Sequence, residues 1–321
     1  MNKYCLALDI GGTNVKSAII SSEGLSVKNS FRNTPINTQS AEGIIGTFIG
    51  EIKSGMEISR GLNLELAGMG ISIAGPFDNE KGISLMKHKL GAIYGLNLKN
   101  EFIKYLELPK DYLIRFEVDS WAFLKGEKWL GSAKGLERII GVTIGTGLGS
   151  GFMADGQIIV EGSGVPQYGW LGGLPYNGGI LDNRISKRGI ISRYSELAGR
   201  DARILDVKEI ANLGAEQNDE ISLQVFKEAG TILGKILNPI ALNFKPDCII
   251  FGGQISKAFS LFEKPLRNEL SHVSTLEKVT AGYSIDQSAL YGAAQAVFGL
   301  PSPNLVNLDE TTVREMNALW G

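Results

Sequence analysis

Two stretches of this chain share one form. "ALDIGGTNVKSAII" (7–20) and "GVTIGTGLGSGFMA" (141–154) each run apolar strand, Ile-Gly, a turn rich in glycine and threonine, then a second apolar strand. The two lie about 130 residues apart, roughly one domain length, in a chain of 321 residues. A repeat of that period predicts two similar lobes, each opening on a glycine hairpin, facing each other across a cleft. Consecutive glycines let backbone N–H groups converge with no Cβ in the way, a concavity suited to phosphate oxygens. Thr13 and Thr146 add hydroxyl donors and Lys16 adds charge. The plainer alternative is that the glycines only make hairpin turns; two hairpins of matching form weaken it.

Other phosphate-binding patterns fit worse. Gly230…Gly234-Lys235-Ile236 has neither the spacing nor the hydroxyl of a Walker loop and falls in a helical stretch. A dinucleotide fingerprint must run from strand into helix, whereas Gly145–Gly151 runs into the strand-like "FMADGQII", so nicotinamide binding is disfavoured.

Hydrophobic residues make up 43% of the chain, as in a globular protein. Thirty-two basic and thirty-four acidic side chains leave a net charge of -2, which argues against gripping nucleic acid through bulk charge. No apolar run is long enough to cross a bilayer, and the N-terminus reaches Asp9 inside a strand with no signal peptide, so a cytoplasmic enzyme is expected. The two cysteines, Cys5 and Cys248, sit in apolar strand-like runs and read as small core residues.

Further along, "AEGIIGTFIGEIKSGM" reads as a helix, and "LAGMGISIAGPFD" as a strand entering a Gly75-Pro76 turn. "YLIRFEVDSWAFLKGEKWL" reads as a strand over 112–118 followed directly by a helix. In "SLQVFKEAGTILGKILNPIALNF", Val225, Leu233, Ile236, Leu237 and Ile240 share a helical face, with Pro239 expected to kink the helix or mark a boundary. "PDCIIFGGQISKAF" reads as strand, Gly252-Gly253 turn and helix, "SALYGAAQAVFGL" as a close-packing small-residue helix, and the tail as a last short helix from Asp309.

Two acids stand at special places. Asp9 ends the first strand beside the glycines, where it can hold hydrated Mg²⁺ or serve as an Asx-type turn residue. Asp119 stands between a strand and a helix. It can be the helix N-cap or a general base taking a proton from an attacking hydroxyl, and the two roles can coexist.

Taken in order, "LDIGGTNVK" (8–16), "GISIAGPFD" (70–78), "EVDSWA" (117–122), "GVTIGTGLGSG" (141–151), "IIFGGQIS" (249–256) and "SALYGAAQAV" (288–297) resemble the ROK family of sugar kinases and their repressor relatives. The resemblance spans about residues 4–300. It implies an α/β chain with the two-lobed actin-like ATPase (ribonuclease H-like) fold, each lobe a mixed sheet flanked by helices. The N-terminal lobe would be 1–118 joined by the closing helix near 288–300, the C-terminal lobe 119–287, and the tail 301–321. It implies that Asp9, Gly11, Gly12, Thr13, Asn14 and Lys16, with Gly145, Thr146 and Gly147, hold the phosphates of ATP, and that Gly252 and Gly253 lie by the adenosine. Asp119 matches the aspartate of the family's E-N-D motif, the base that activates a sugar hydroxyl. Ala74, Gly75, Lys89 and Gln167 would join Asp119 at the sugar, Asp9 would hold Mg²⁺ through water, and a homodimer is implied.

The chain also departs from the family pattern. Val118 replaces the E-N-D asparagine, and Lys89 in "HKLGAIYG" takes the place of another. The E-x-G-H motif becomes Gln167-Tyr168-Gly169-Trp170, and the last cysteine and the glutamate of the zinc motif fall at Ile190 and Ser192. Structural zinc needs thiolates this chain lacks, so no zinc is expected, and Trp170, Leu171, Ile190 and Ile191 are expected to fill that corner by apolar packing. A lysine at 89 that points inward would favour an anionic sugar; otherwise it is a solvated loop residue. Three functions follow: an ATP-dependent sugar kinase; a catalytically weak sugar- or nucleotide-binding relative; and a DNA-binding repressor, disfavoured because only eight residues precede Asp9.

Overall fold

The computed structural model describes residues 3–87, 89–199, 201, 205–299, 302–303, 313–314 and 316–318. The chain divides into two compact units, Met1–Leu130 with Gln287–Gly321, and Gly131–Asp286.

The first unit contains β1 (Tyr4–Ile10), β2 (Asn14–Ser21), β3 (Arg32–Pro35), α1 (Ala41–Gly61), β4 (Leu66–Ile73), the short pair β5 (Phe77–Asp78) and β6 (Ile83–Ser84), α2 (Leu98–Tyr105), β7 (Ile114–Val118) and α3 (Asp119–Leu130). The second contains β8 (Arg138–Ile144), β9 (Leu148–Ala154), β10 (Gln157–Ile159), the short pair β11 (Pro175–Tyr176) and β12 (Gly179–Ile180), α4 (Lys187–Ala198), α5 (Val207–Gln217), α6 (Glu220–Phe244), β13 (Cys248–Gly252), α7 (Phe259–Leu270) and β14 (Lys278–Ala281). Helix α8 (Ser288–Phe298) then returns to the first unit.

The two five-stranded sheets have the same topology. Their orders are β3-β2-β1-β4-β7 and β10-β9-β8-β13-β14. In each, the glycine hairpin and the strand after it pair antiparallel, and the next two strands add parallel on the other side. The repeat seen in two short stretches therefore extends over both sheets. Each glycine turn runs into a strand, which excludes the strand-to-helix geometry of a dinucleotide fingerprint.

Alternation along β1 sorts its two faces. Leu6, Leu8 and Ile10 point into a core with Ile44, Phe48, Ile52, Phe102 and Phe116. Cys5 and Ala7 point the other way, onto Leu290, Ala293 and Ala294 of α8. Small residues let this helix lie close: a Cβ on Gly70 would sit 1.9 Å from Ala293 O. The α3–α8 crossing is as tight, with Gly126 against the carbonyl of Ser288 and Gly292 against that of Ala122. In the second unit Ile140, Val142, Ile144 and Phe152 pack with Leu233, Leu237 and Phe244.

The structure moves one boundary. The division expected at 118/119 falls instead after Leu130, because α3 packs on α8, β4 and β7 of the first unit. Helix α8 falls in the first unit, and so do the described tail residues 302–303, 313–314 and 316–318. Pro239 marks no boundary; α6 continues to Phe244, held by the buried Val225, Leu233, Leu237 and Ala241, with Ile236 and Ile240 half-buried beside them. The expected start of the tail helix at Asp309 lies outside the described residues; Val313, Arg314 and 316–318 are helical. Among the described residues, no helix is long and apolar enough to cross a membrane.

Candidate functional site

In the first unit the strand register builds the site. Lys16 of β2 stands opposite Asp9 of β1, Asp9 beside Ser72 of β4, and Ser72 beside Glu117 of β7. Residues aligned across a sheet share a face, so the four form one polar row, on the side that carries α3 and α8. Ser72 Oγ donates to Asp9 Oδ1 at 3.0 Å. Burial pushes the Asp9 carboxyl above its ordinary range; Lys16 and the Ser72 hydroxyl pull against this, Asp119 adds to it, and Lys89 opposes it. Asp119 and Lys89 are thus near enough to act on Asp9 electrostatically. Glu117, fully buried, meets Lys125 Nζ at 2.6 Å, yet burial still raises its carboxyl.

Asp119 is the first residue of α3, half-buried, and its Oδ1 accepts from Ser120 N at 2.7 Å. One carboxylate oxygen therefore serves the helix end, and the capping and catalytic roles are compatible. Lys89 lies along the glycine turn: a Cβ on Gly12 would meet its Cβ, Cγ and Cδ at 3.8–3.9 Å. The turn is closed by Gly11 N donating to Asn14 O at 2.9 Å. Thr13 is exposed, and its carbonyl is taken by Ile36 N. Asn14 spends its side chain sideways on Asn33, at 3.0 Å. Ala74 is buried, and Gly75 begins a cis Gly75-Pro76 peptide.

In the second unit the turn is Gly145–Gly147, with Gly145 N donating to Gly147 O at 2.9 Å and Gly145 O accepting from Lys187 N at 2.8 Å. Beside it opens a pocket of about 530 Å³ whose lining includes Gly145, Thr146, Asn212, Gln254, Ile255 and Leu261. Its walls come from the hairpin, α5 and the turn after β13. Gly253 needs φ +79° for that turn, and a Cβ on it would strike Ile144 O at 2.4 Å. Two charged pairs stand on the pocket rim. Lys187 Nζ meets Asp206 Oδ2 at 3.0 Å and holds that carboxyl below the usual range. Lys257 Nζ reaches Asp286 Oδ2 at 2.8 Å, where Gln254 Nε2 also donates, to Oδ1.

Gln167 also belongs to the second unit, exposed on a short turn. Beyond it Leu171, Ile190 and Ile191 are buried in the unit's core, and Trp170 donates to Leu148 O at 3.0 Å. Apolar packing fills this corner. Cys5 and Cys248 are buried, one in each unit, and burial pushes the Cys5 thiol up to about 12.

Asp9, Gly12, Lys16, Lys89 and Asp119 are therefore one group, and Gly145, Thr146 and the Gly252-Gly253 turn another. Sequence reasoning missed Ser72, Lys187, Asp206, Asn212 and Gln254. The capping box of Asp206 and Glu209 on α5 was a legible local signal, but nothing local says that α5 walls a pocket.

The ROK family model matches residues 5–299. The chain belongs to the ROK family. This ROK protein is 26% identical over 319 residues to the glucokinase of Thermotoga maritima, with 91% of this chain and 96% of that one covered. It is 27% identical over 257 residues to the beta-glucoside kinase of Listeria monocytogenes, covering 78% and 82%. Its fold matches the ROK family glucokinase of Streptomyces griseus, solved with glucose and AMPPNP, at a TM-score of 0.73 and 22% identity, over 91% of this chain and 98% of that one. The fold is the actin-like ATPase fold, with a mixed sheet and flanking helices in each unit.

Proposed function

We propose that this ROK sugar kinase transfers the γ-phosphoryl group of ATP to a sugar hydroxyl, with Asp119 as the general base. One observation carries the assignment: Asp119 follows directly on β7, two residues after Glu117, whose row across the sheet runs through Ser72 to Asp9. As the sugar oxygen attacks the phosphorus, Asp119 takes its proton, the P–O bond to ADP breaks, and ADP carries off the electron pair. Gly12, Thr13 and Lys16, and likewise Thr146 and Gly147, are assigned as backbone, hydroxyl and ammonium donors to phosphate oxygens, while Gly11 and Gly145 close the two turns with their own N–H groups. The pocket beside Gly145 has the size of a nucleoside site, and Gly252 and Gly253 shape the turn that walls it. Ala74, Gly75, Lys89 and Gln167 are assigned to the sugar.

Asp9 is the residue that would hold Mg²⁺. Its carboxylate is penalised by burial, and a cation would relieve that penalty. Among the described residues no group of three or more His, Cys, Asp or Glu could hold a metal ion, so Asp9 would hold the ion through water, with phosphate oxygens among its ligands, as is usual for magnesium. The ion would neutralise phosphate charge. A homodimer and a cytoplasmic site of action belong to the same proposal.

A second reading, a sugar or nucleotide binder with little turnover, draws on Val118: it is buried and apolar where the family pattern has an asparagine. One assay separates the two. Glucose, N-acetylmannosamine, cellobiose and glucuronate are each supplied with MgATP, and ADP release is followed. At least one sugar is expected to stimulate release, and Asp119→Asn to lower kcat by about 10²–10⁴-fold with the fold intact. Calorimetric binding without turnover on any sugar, or an Asp119→Asn variant as fast as the parent, sinks the kinase reading.

A further inference from the structure

The family match ends at residue 299, yet the chain continues, and the described part of its tail touches the first unit at two places. Ser302 Oγ donates to Glu117 Oε2 at 2.9 Å, two positions before Asp119. Farther on, Val313 is buried, and Asn317, itself helical, grips the loop that carries Lys89. Asn317 Oδ1 accepts from Lys87 N at 2.8 Å, while its Nδ2 donates to Leu85 O at 2.8 Å and to Val313 O at 2.9 Å. One amide thus fixes the backbone on both sides of Met86.

The rest of that loop is held by other means. Leu85 N donates to Pro76 O at 3.1 Å, tying the loop to the Gly75-Pro76 turn. Met86 and Leu90 are buried in the core of the unit. Between these anchors Lys89 leaves the loop and lays its aliphatic stem along Gly12, with its charge acting on Asp9. The clamp on Leu85 O and Lys87 N thus holds the loop backbone two residues before this lysine.

We propose that Asn317 is a positioning residue for the acceptor half of the site, holding the 85–90 loop so that Lys89 lies against the Gly12 turn. The inference rests on the kinase reading above and adds a contribution from a segment outside the family match.

The test uses the full chain and the sugar that the parent turns over fastest among the four named above. Asn317→Ala is expected to raise the KM for sugar about tenfold, because a displacement of about an ångström is enough to cost that much. The KM for ATP should rise by less than that for sugar: Lys89 also lies beside the Gly12 turn assigned to phosphate, but no residue of the pocket beside Gly145 is touched. In a Lys89→Met background the same substitution should have no further effect on the sugar KM, because residues that act through one another are not additive. Asn317→Asp, which keeps the acceptor for Lys87 N–H, should fall between parent and alanine variant. An unchanged sugar KM overturns the proposal. So does an equal rise in both KM values, or a tenfold effect that persists without Lys89, since either marks a merely structural role. A parent inactive on every sugar brings down the kinase reading and this inference with it; an active parent whose Asn317→Ala variant is unaltered brings down the inference alone.

Discussion

The closest backbone approach in the first unit makes a sharp prediction about Gly292. A Cβ there would sit 1.7 Å from Ala122 O and 2.4 Å from Ala122 C. An ordinary carbon–oxygen contact is about 3.3 Å, so α3 and α8 must part by about 1.5 Å to admit one methyl group. The obstacle is helix backbone, which no rotamer change moves. Gaps of 0.5–1 Å already forfeit a quarter to a half of each contact's attraction, and overpacking of this kind costs about 3 kcal/mol or somewhat more. Alanine returns about 1 kcal/mol of helix propensity. Gly292→Ala is therefore expected to lose a net 2–3 kcal/mol or so, a fall in Tm of about 5–10 °C. Gly46 on α1 is the control: it is exposed, and nothing lies within 4 Å of its Cβ position. Gly46→Ala is expected to gain about 0.5–1 kcal/mol. Thermal and urea unfolding of both variants beside the parent decide the matter. The base is coupled to the same crossing, since Asp119 begins α3; Gly292→Ala should also lose activity at temperatures where it remains folded. If both alanine variants gain stability, the packing argument is wrong.

Two further outcomes follow from the site. The Asp9 carboxyl is held above its ordinary value, so the folded chain binds this proton more tightly than the unfolded chain does. Stability contributed by this group must then fall as pH rises from the ordinary carboxylate value through the raised one, and stay low above it. Asp9→Asn, which cannot ionise, should be more stable than the parent at neutral pH, with an advantage that shrinks on acidification, and should lose kinase activity. An advantage that is constant with pH, or largest in acid, contradicts this assignment. The space above Gly145 is empty, with nothing within 4 Å of a Cβ there. Gly145→Val should therefore fold with a Tm close to the parent's while raising the KM for ATP about tenfold or more, because its methyl groups occupy room that the proposed phosphate site needs. An unaltered KM for ATP would detach this hairpin from the nucleotide.

Much of the architecture was legible because its signals are local. Both glycine hairpins announce themselves by apolar runs flanking a turn rich in glycine, and the structure finds strands at Tyr4–Ile10, Asn14–Ser21, Arg138–Ile144 and Leu148–Ala154. The small-residue helix after Ser288 packs as closely as its composition implied, on Gly70 and on α3. Of the two outcomes expected at Pro239, a kink or a boundary, the boundary did not occur, because the apolar face of α6 outweighs one missing hydrogen bond.

The candidate site divides along the same line. Asp9 and Asp119 stood out in the chain because each interrupts an apolar strand at its end, where a side chain must face something other than the core. That Ser72 bonds to Asp9, that Lys89 lies on Gly12, and that Asn317 holds the Lys89 loop are pairings between residues far apart in sequence. So is the placement of α3 in the first unit, which the 118/119 boundary missed. Element type follows from spacing and turn chemistry within about ten residues. Which elements meet depends on which small residues permit close approach and which strand registers align, and those are properties of the assembled chain.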